Sequence, residues 1–218
     1  MASQGKVAGV TRSRVRRPPD EARRLILAAA ERLLAEGGVA AVQVRAIATR
    51  VGMTDAGVNH HFGARDQLLE ALLRHGGRKM RAGLGEVLAS WLDRGAGADH
   101  GSNLGADLGA LVDALAAFYG EGYGELAAAL HAAGWRDDGA GLLDPVVDAL
   151  HALRPGAADI PVEDTRLAVA ALHQALATES LYGPAFRRSA GLTGPAAATS
   201  GPQVRWWTTH LARSLGLR

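Results

Sequence analysis

Residues 44–62 contain the pattern that most restricts the fold, two short helical segments joined by a sharp turn. Apolar residues recur at helical spacing in both segments, at Val44, Ile47, Ala48, Val58 and Phe62. Gly52 can end the first segment because glycine readily adopts a positive φ. Thr54 can then cap the second segment, since its hydroxyl accepts from free N–H groups of the first turn. The pattern predicts a helix-turn-helix, an arrangement whose second helix enters the DNA major groove.

The composition favours helices elsewhere in the chain as well. The 218 residues are 48% hydrophobic, with abundant Ala, Leu and Arg, and Val, Ile and aromatic residues are sparse. The sequence has no cysteine, which excludes disulfides, thiolate catalysis and Cys-based zinc sites. No apolar run approaches the roughly 18–20 residues of a membrane span. The basic residues near the start precede no apolar segment, so we expect no signal peptide.

Charge is distributed unevenly along the chain. Residues 1–81 contain 15 Lys and Arg against 7 Asp and Glu, a balance of +8. Residues 82–218 contain 9 against 15, a balance of −6. This asymmetry indicates a polyanionic partner for the first part only. Residues 1–17 read as a mobile basic arm that reaches DNA, or as a disordered terminus without that role.

Periodicity predicts an all-α chain without internal repeats. The predicted helices cover about 21–36, 43–50, 54–61, 64–92, 104–120, 123–134, 141–153, 163–182 and 203–216. Gly76 and Gly77 mark either a break in the fourth helix or a pliable joint within it. Residues 94–103 and 183–202 are predicted to be loops because they are rich in small and turn-forming residues. Pro145 is expected in the first turn of its helix.

The first 80 or so residues resemble the DNA-binding domain of the TetR family, the tetracycline-repressor-like regulators. The matching pieces are a helix ending in Gly-Gly, then VRAIATRVGMT, then VNHHFGARDQLLEALL. The resemblance implies a basic arm at 1–19, a helix-turn-helix domain at 20–64 with its motif at about 42–61, and a helical regulatory and dimerisation domain at 65–218. It also implies a dimer formed by the last two helices, and a small-molecule effector of apolar or amphipathic character.

Three residues depart from the family pattern. Asn59 stands where an aromatic residue, often a tyrosine that contacts phosphate, is usual. Gln43 replaces the Ser or Thr that opens the first helix of the motif, and Arg65 replaces a common lysine. The first change can move a contact from the backbone to a base, because asparagine can bond bidentately to adenine.

The residues expected to contact DNA surround the second helix of the motif: Arg45, Thr54, Asp55, Ala56, Asn59, His60 and Arg65. Arg45 reaches a phosphate or a base, or remains a solvated charge. Asp55 accepts from cytosine, or only favours the helix dipole. Ala56 permits close approach to base edges, or serves helix packing. Thr54 caps the helix and its neighbouring N–H groups can hold a phosphate, which Arg65 is expected to clamp.

The acidic part offers two further sets of candidates. The pocket of an effector is assigned to Trp91, Phe118, Tyr119, Tyr123, Trp135 and His173, with plain core packing as the alternative. The dimer interface is assigned to Leu167, Leu172, Leu176, Val204, Trp207, Leu211 and Leu215, whose alternative is to cover the protomer's own core. His60 and His61 are adjacent on a helix and point about 100° apart, so a shared metal ion is disfavoured.

The leading hypothesis is a ligand-responsive transcriptional regulator, a repressor that binds a palindromic operator as a homodimer. We expect it in the bacterial cytoplasm, associated with the nucleoid. A constitutive or architectural DNA binder is the second class, which the absence of an internal cavity would favour. An enzyme is disfavoured because the sequence lacks the HExxH, GxSxG and phosphate-loop motifs. We therefore expect no cofactor, no metal and no membrane partner.

Overall fold

The computed structural model describes residues 18–95, 100–136 and 141–217, so the predicted arm at 1–17 lies outside the described residues. Within these ranges the chain forms helices and no strands. The helices are α1 (Pro19–Ala41), α2 (Val44–Val51), α3 (Asp55–Phe62), α4 (Arg65–Gly95), α5 (His100–Phe118), α6 (Gly124–Ala132), α7 (Asp144–Ala152), α8 (Val162–Ala177), α9 (Glu179–Ser189), α10 (Gly194–Ala198) and α11 (Gly201–Ser214). A π-helical turn (Tyr119–Tyr123) joins α5 to α6, and a 3₁₀ turn (Ala157–Asp159) precedes α8.

Two hydrophobic cores organise these helices. The first packs the apolar faces of α1, α2, α3 and the start of α4 around Ile26, Ile47 and Leu68, all fully buried. The second packs the remainder of α4 with α5, α7, α8 and α11. Tyr123 and two leucines of α6 belong to the first core, although they lie far beyond it in sequence. The N-terminal domain is therefore completed by residues of the C-terminal part.

The helix α4 runs without interruption from the first core to the second. Gly37 and Gly38 interrupt α1 near the predicted position, with non-helical backbone angles. Gly76 and Gly77 do not interrupt α4, and neither has a positive φ. The predicted break is therefore absent, and a pliable joint remains the alternative. Pro145 lies in the first turn of α7, as predicted.

Other predicted boundaries need correction. α4 extends through Gly95 and α5 begins at His100, so the predicted loop at 94–103 is helical at both ends, and residues 96–99 lie outside the described residues. The predicted helix 163–182 is divided at Thr178. The predicted loop 183–202 instead contains most of α9 and all of α10.

A partly buried ion pair helps to hold this glycine- and proline-rich segment in helices. Arg187 Nη1 donates to Glu179 Oε1 at 2.6 Å, and its Nε donates to the carbonyl of Ala197 at 3.0 Å. These contacts link α9 to α10. A Cβ on Gly183 would lie 2.4 Å from the Glu179 carboxylate, so glycine makes room for the pair. None of the helices in the described ranges has the length and apolar composition needed to cross a bilayer.

Candidate nucleic-acid interface

The turn between α2 and α3 has the geometry that its sequence predicts. Gly52 follows α2 with φ 66° and ψ 37°, in the left-handed region that glycine adopts without a Cβ clash. Thr54 precedes α3 in an extended conformation, and its hydroxyl accepts a 3.1 Å hydrogen bond from the Gly57 N–H. The cap satisfies one free N–H group at the helix start and fixes where α3 begins.

The two faces of α3 differ in their surroundings. Val58 and Phe62 are buried in the first core. The residues predicted to contact DNA from this helix and its cap are all exposed, namely Thr54, Asp55, Ala56, Asn59 and His60. Arg45 is exposed on α2. Six of the seven predicted contact residues are therefore accessible to a partner.

Arg65 differs from these six residues because its guanidinium braces the protein. Its Nε donates to the carbonyl of Val42 at 2.8 Å, and its Nη2 donates to the carbonyl of Val39 at 2.7 Å. Both carbonyls lie where α1 ends and α2 begins. Arg65 thus fixes this connection, and a phosphate contact from its remaining nitrogen stays a prediction.

The arginines of α2 have different partners. Arg50, near the end of the helix, forms an ion pair with Glu36 of α1. The hydrogen bond from Arg50 lowers the pKa of Glu36. Because a carboxylate neutralises Arg50, Arg45 is the α2 arginine better placed to attract a polyanion.

Gly57 has a packing role. A Cβ at this position would lie 3.3 Å from Met53 Cε and 3.3 Å from Thr54 Oγ1. The close approach is therefore to the turn before α3. A larger residue at this position would therefore crowd the turn that precedes α3.

Two positioning residues were not singled out by the sequence pattern. The Arg23 guanidinium lies 4.3 Å from the centre of the Phe62 ring, and its Nη1 donates to the carbonyl of His61. Gln67 accepts from the Ala64 N–H at 2.7 Å and so caps α4. The Arg23 contact joins positions 38 residues apart, and the Gln67 cap lacks the usual Ser or Thr partner, so neither had a clear signal.

His60 and His61 contact each other edge to face, with ring centres 5.5 Å apart. Across the described part of the chain, no three His, Cys, Asp or Glu side chains are grouped in a way that could hold a metal ion. His60 is exposed, while His61 is partly buried. Its exposure leaves His60 free to contact the DNA backbone. The partial burial of His61 fits a packing role.

Comparison with known families identifies the domain that contains the helix-turn-helix. Residues 26–72 match the family model described as bacterial regulatory proteins of the tetR family. The match begins within α1 and ends within α4, and so includes the whole helix-turn-helix. The chain carries a TetR-family domain. A domain of this family is typical of DNA-binding transcription regulators.

Solved structures resemble this chain over most of its length. A protein of unknown function from Rhodococcus sp. RHA1 has 22% identity and a TM-score of 0.51, covering 89% of this chain and 95% of that one. A transcriptional regulator from the same organism has 20% identity and a TM-score of 0.48, covering 88% and 96%. A TetR-family regulator from Streptomyces coelicolor has 19% identity and a TM-score of 0.40, covering 92% and 98%. The first of these supports the fold. No curated protein matches the sequence.

The six predicted pocket residues do not all lie together. Trp91 is buried in the second core, and Trp135 packs against the first core with Arg74 5.9 Å from its ring centre. Phe118 and Tyr123 stack with ring centres 4.4 Å apart. Tyr119 lines a cavity of about 250 Å³, and its hydroxyl contacts His173 Nε2. Of the six, Tyr119 lines this cavity, Phe118 and His173 contact Tyr119 directly, and Tyr123 stacks on Phe118.

Burial shifts the pKa values of Tyr119, Tyr123 and His173. It raises the pKa of the Tyr119 hydroxyl and lowers the pKa of His173, because the charged form of each loses solvation. Burial also raises the pKa of Tyr123, whose hydroxyl donates to Glu31 Oε1 at 2.7 Å. Tyr119 and Tyr123 are therefore neutral hydrogen-bonding groups at neutral pH.

The predicted dimer residues divide into buried and accessible sets. Five are buried within the protomer, where no second copy can reach them: Leu172, Leu176, Val204, Leu211 and Leu215. They are buried because the apolar faces of α8 and α11 pack against the second core. Leu167 is 69% exposed and Trp207 is partly buried. Large apolar side chains that the sequence pattern did not select are also exposed, namely Tyr182, Phe186, Leu192 and Trp206.

Proposed function

We propose that this regulator binds a palindromic operator as a homodimer and that a small molecule releases it, which makes it a repressor. The observation that carries the proposal is the exposed face of α3, in a family-matched helix-turn-helix whose second helix is capped by Thr54. A rigid helix with an accessible polar face is what major-groove recognition requires. The expected place of action is the bacterial nucleoid, in the cytoplasm.

Two residues are assigned to DNA contact on α2 and α3. Asn59 has the donor and acceptor that pair bidentately with adenine, and it is exposed near the middle of α3. Arg45 supplies exposed positive charge for a phosphate or a base. Asp55 has a simpler role in the first turn of α3, where its carboxylate favours the helix dipole.

The dimer is supported by an apolar surface that the protomer leaves uncovered. Leu167 of α8, Phe186 of α9 and Trp206 of α11 are 69%, 62% and 53% exposed. They belong to the helices that flank a groove of about 460 Å³, which is lined in part by Ala171, Leu192 and Trp207. We assign these side chains to one face, because a contiguous exposed apolar patch is typical of a protein interface. To bind a palindrome, a twofold dimer must place its two copies of α3 about 34 Å apart, one helical turn of DNA.

Ligand response is favoured over constitutive binding by the cavities of the C-terminal part. The cavity beside Tyr119 has a volume of about 250 Å³, with apolar and polar walls. A constitutive DNA binder has no need of such a space.

The test is selection of bound sequences from random duplexes at a stated salt concentration, using the wild type, Asn59→Ala and Arg45→Ala. We expect the wild type to select a palindrome. Asn59→Ala should lose preference at one position of each half-site, at a cost of about 1–3 kcal/mol in discrimination. Arg45→Ala should weaken binding uniformly if Arg45 contacts phosphate, or at one position if it contacts a base.

Arg166→Ala is the matched control, because it removes the same charge from an exposed position on α8. It should leave both the affinity and the selected sequence unchanged. A wild-type protein without salt-sensitive affinity for any duplex would contradict the proposed function.

A further inference from the structure

The cavity beside Tyr119 lies where the end of α5 and the π-helical turn meet α8, α9 and α11. Its apolar wall is formed by Ala116, Leu176, Pro184 and Val204. Its volume of about 250 Å³ exceeds the roughly 150 Å³ that accommodates benzene in an engineered protein cavity. The space therefore fits a single ring with a short substituent.

Polar groups of the wall restrict the chemistry of that substituent. Ser180 and Ser200 line the cavity, as do Glu179 and Arg187. The Glu179–Arg187 pair is internally neutral, and Arg187 is only 4% exposed. A charged ligand would need either to displace one member of this pair or to be buried without a partner, and both are costly.

Pro184 changes the backbone hydrogen bonding beside the same wall. Proline has no backbone N–H, so the carbonyl of Ser180 lacks the donor that residue 184 of a regular helix would supply. Both residues line the cavity. The hydroxyls of Ser180 and Ser200 can donate to a ligand oxygen or accept from a ligand hydroxyl.

A π-helical turn connects this cavity to the DNA-binding domain. Tyr119 begins the turn at the cavity, where its hydroxyl contacts His173 of α8. Tyr123 ends the turn in the first core, where its hydroxyl donates to Glu31 of α1 at 2.7 Å. Phe118 contacts both rings, edge to face with Tyr119 at 5.1 Å and stacked with Tyr123 at 4.4 Å.

Several contacts fix the Tyr123 end of the π-helical turn. Glu31 also accepts from Lys79 of α4 at 3.3 Å, so α1, α4 and the turn meet at one carboxylate. The Tyr123 ring lies against Gly76, where a Cβ would be only 2.1 Å from Tyr123 Cε1. A shift of the turn must therefore move α1 or α4, and α1 packs directly on α2 and α3.

We propose that the cavity beside Tyr119 is the effector site, that it takes an uncharged single-ring molecule bearing a hydroxyl or carbonyl group, and that the π-helical turn conveys occupancy to α1. This inference rests on the proposed function, since an effector site requires a regulated DNA-binding activity. For regulation to result, the ligand must bind one arrangement of the turn more tightly than the other.

The ligand class is tested with benzyl alcohol, benzoate and benzylammonium, which share a ring and differ in charge. Binding to the full chain is measured by ligand-observed NMR titration. Benzyl alcohol should bind at least about tenfold more tightly than either ion. Equal or tighter binding of benzoate or benzylammonium would overturn the assigned class, and no detectable binding of benzyl alcohol would overturn the site.

The location is tested with Ala116→Leu, which fills the cavity, and Ala117→Leu, which adds the same atoms at an exposed neighbouring position on α5. Ala116→Leu should weaken benzyl alcohol binding at least about tenfold, and Ala117→Leu should leave it unchanged. Circular dichroism checks that both variants are folded. Undiminished binding to a folded Ala116→Leu protein would place the site elsewhere and overturn the inference.

The connection is tested with Tyr123→Phe, which removes the bond to Glu31 and keeps the ring. This variant should bind benzyl alcohol as the wild type does, while the ligand's effect on affinity for the selected operator disappears. An unchanged effect in Tyr123→Phe would overturn the role of the turn. Operator binding without ligand is measured separately, so failure of the DNA-binding function is distinguishable from failure of the effector site.

Discussion

Gly76 and Gly77 are adjacent in sequence but have different surroundings. A Cβ on Gly76 would lie 2.1 Å from Tyr123 Cε1, whereas a Cβ on Gly77 would meet nothing within 4 Å. Only Gly76 is therefore required by packing. The sequence showed two equivalent helix-weakening residues, and a contact across 47 positions of the chain distinguishes them.

This difference gives a paired prediction for stability. Gly76→Ala should lower the free energy of unfolding by about 1–3 kcal/mol, because the Tyr123 ring must move. Gly77→Ala should be neutral or stabilising by up to about 1 kcal/mol, because alanine favours helix. Urea denaturation of both variants measures the difference. Equal effects would show that Tyr123 does not restrict this position.

His173 gives a prediction about pH. Burial lowers its pKa from the ordinary value of 6.5, so protonation is less favourable in the folded chain than in the unfolded one. The resulting stability is fully present above about pH 6.5 and is lost as the pH falls through the folded-state pKa. Unfolding midpoints should therefore decrease between about pH 7 and pH 5.

The matched variants for this effect are His173→Gln and His210→Gln. His173→Gln removes the buried group and should make the stability less dependent on pH over this interval. His210→Gln removes an exposed histidine of α11 and should retain the wild-type dependence. Identical pH profiles for His173→Gln and the wild type would contradict the assignment.

Among the helices, α3 is short, so its stability depends strongly on its N-terminal cap. The helix has only eight residues, and Thr54 supplies its N-terminal hydrogen bond. Helices this short are marginal without capping and packing. Its Val58 and Phe62 supply the packing, and Arg23 lies over the Phe62 ring at the other end.

Replacing the cap should therefore weaken both the domain and its DNA binding. Thr54→Ala should cost about 1 kcal/mol in the free energy of unfolding, while Thr54→Ser should restore most of it. Thr49→Ala is the control, since its hydroxyl bonds to Arg45 within α2 and caps no helix start. Thermal unfolding and operator affinity are the measurements, and an equal loss in Thr49→Ala would contradict the capping role.

The segment 183–202 shows where local reasoning about elements fails. Glycine, proline and small residues are typical of loops, yet α9 and α10 form there. The Glu179–Arg187 pair and the contact of Arg187 with Ala197 stabilise these helices from outside the local pattern. Gly183 is needed for that pair, so a residue that predicted a loop is part of a helix.

At the scale of the whole molecule, the exposed apolar surface of α8, α9 and α11 is the basis of the proposed dimer. Leu167→Glu combined with Trp206→Glu should shift the protein from dimer to monomer, because two charges would be buried unpaired at a twofold interface. Sedimentation velocity measures the change. Ala82→Glu, at an exposed position of α4, should remain dimeric. A doubly substituted protein that stays dimeric would place the interface elsewhere.

The all-α class and the helix-turn-helix could be predicted from local sequence alone, because they depend on the apolar period, a glycine that ends α2 and a threonine that caps α3. The sequence also identified the exposed residues of α3, since the buried face is set by the same period. Which of the predicted interface residues a second copy can reach depends on tertiary packing. Packing buried Leu172 and Leu211 and left Leu167 exposed, because helices of similar amphipathicity can orient their apolar faces only once their neighbours are in place. The cavity beside Tyr119 and the contact of Tyr123 with Glu31 likewise exist only where distant segments meet.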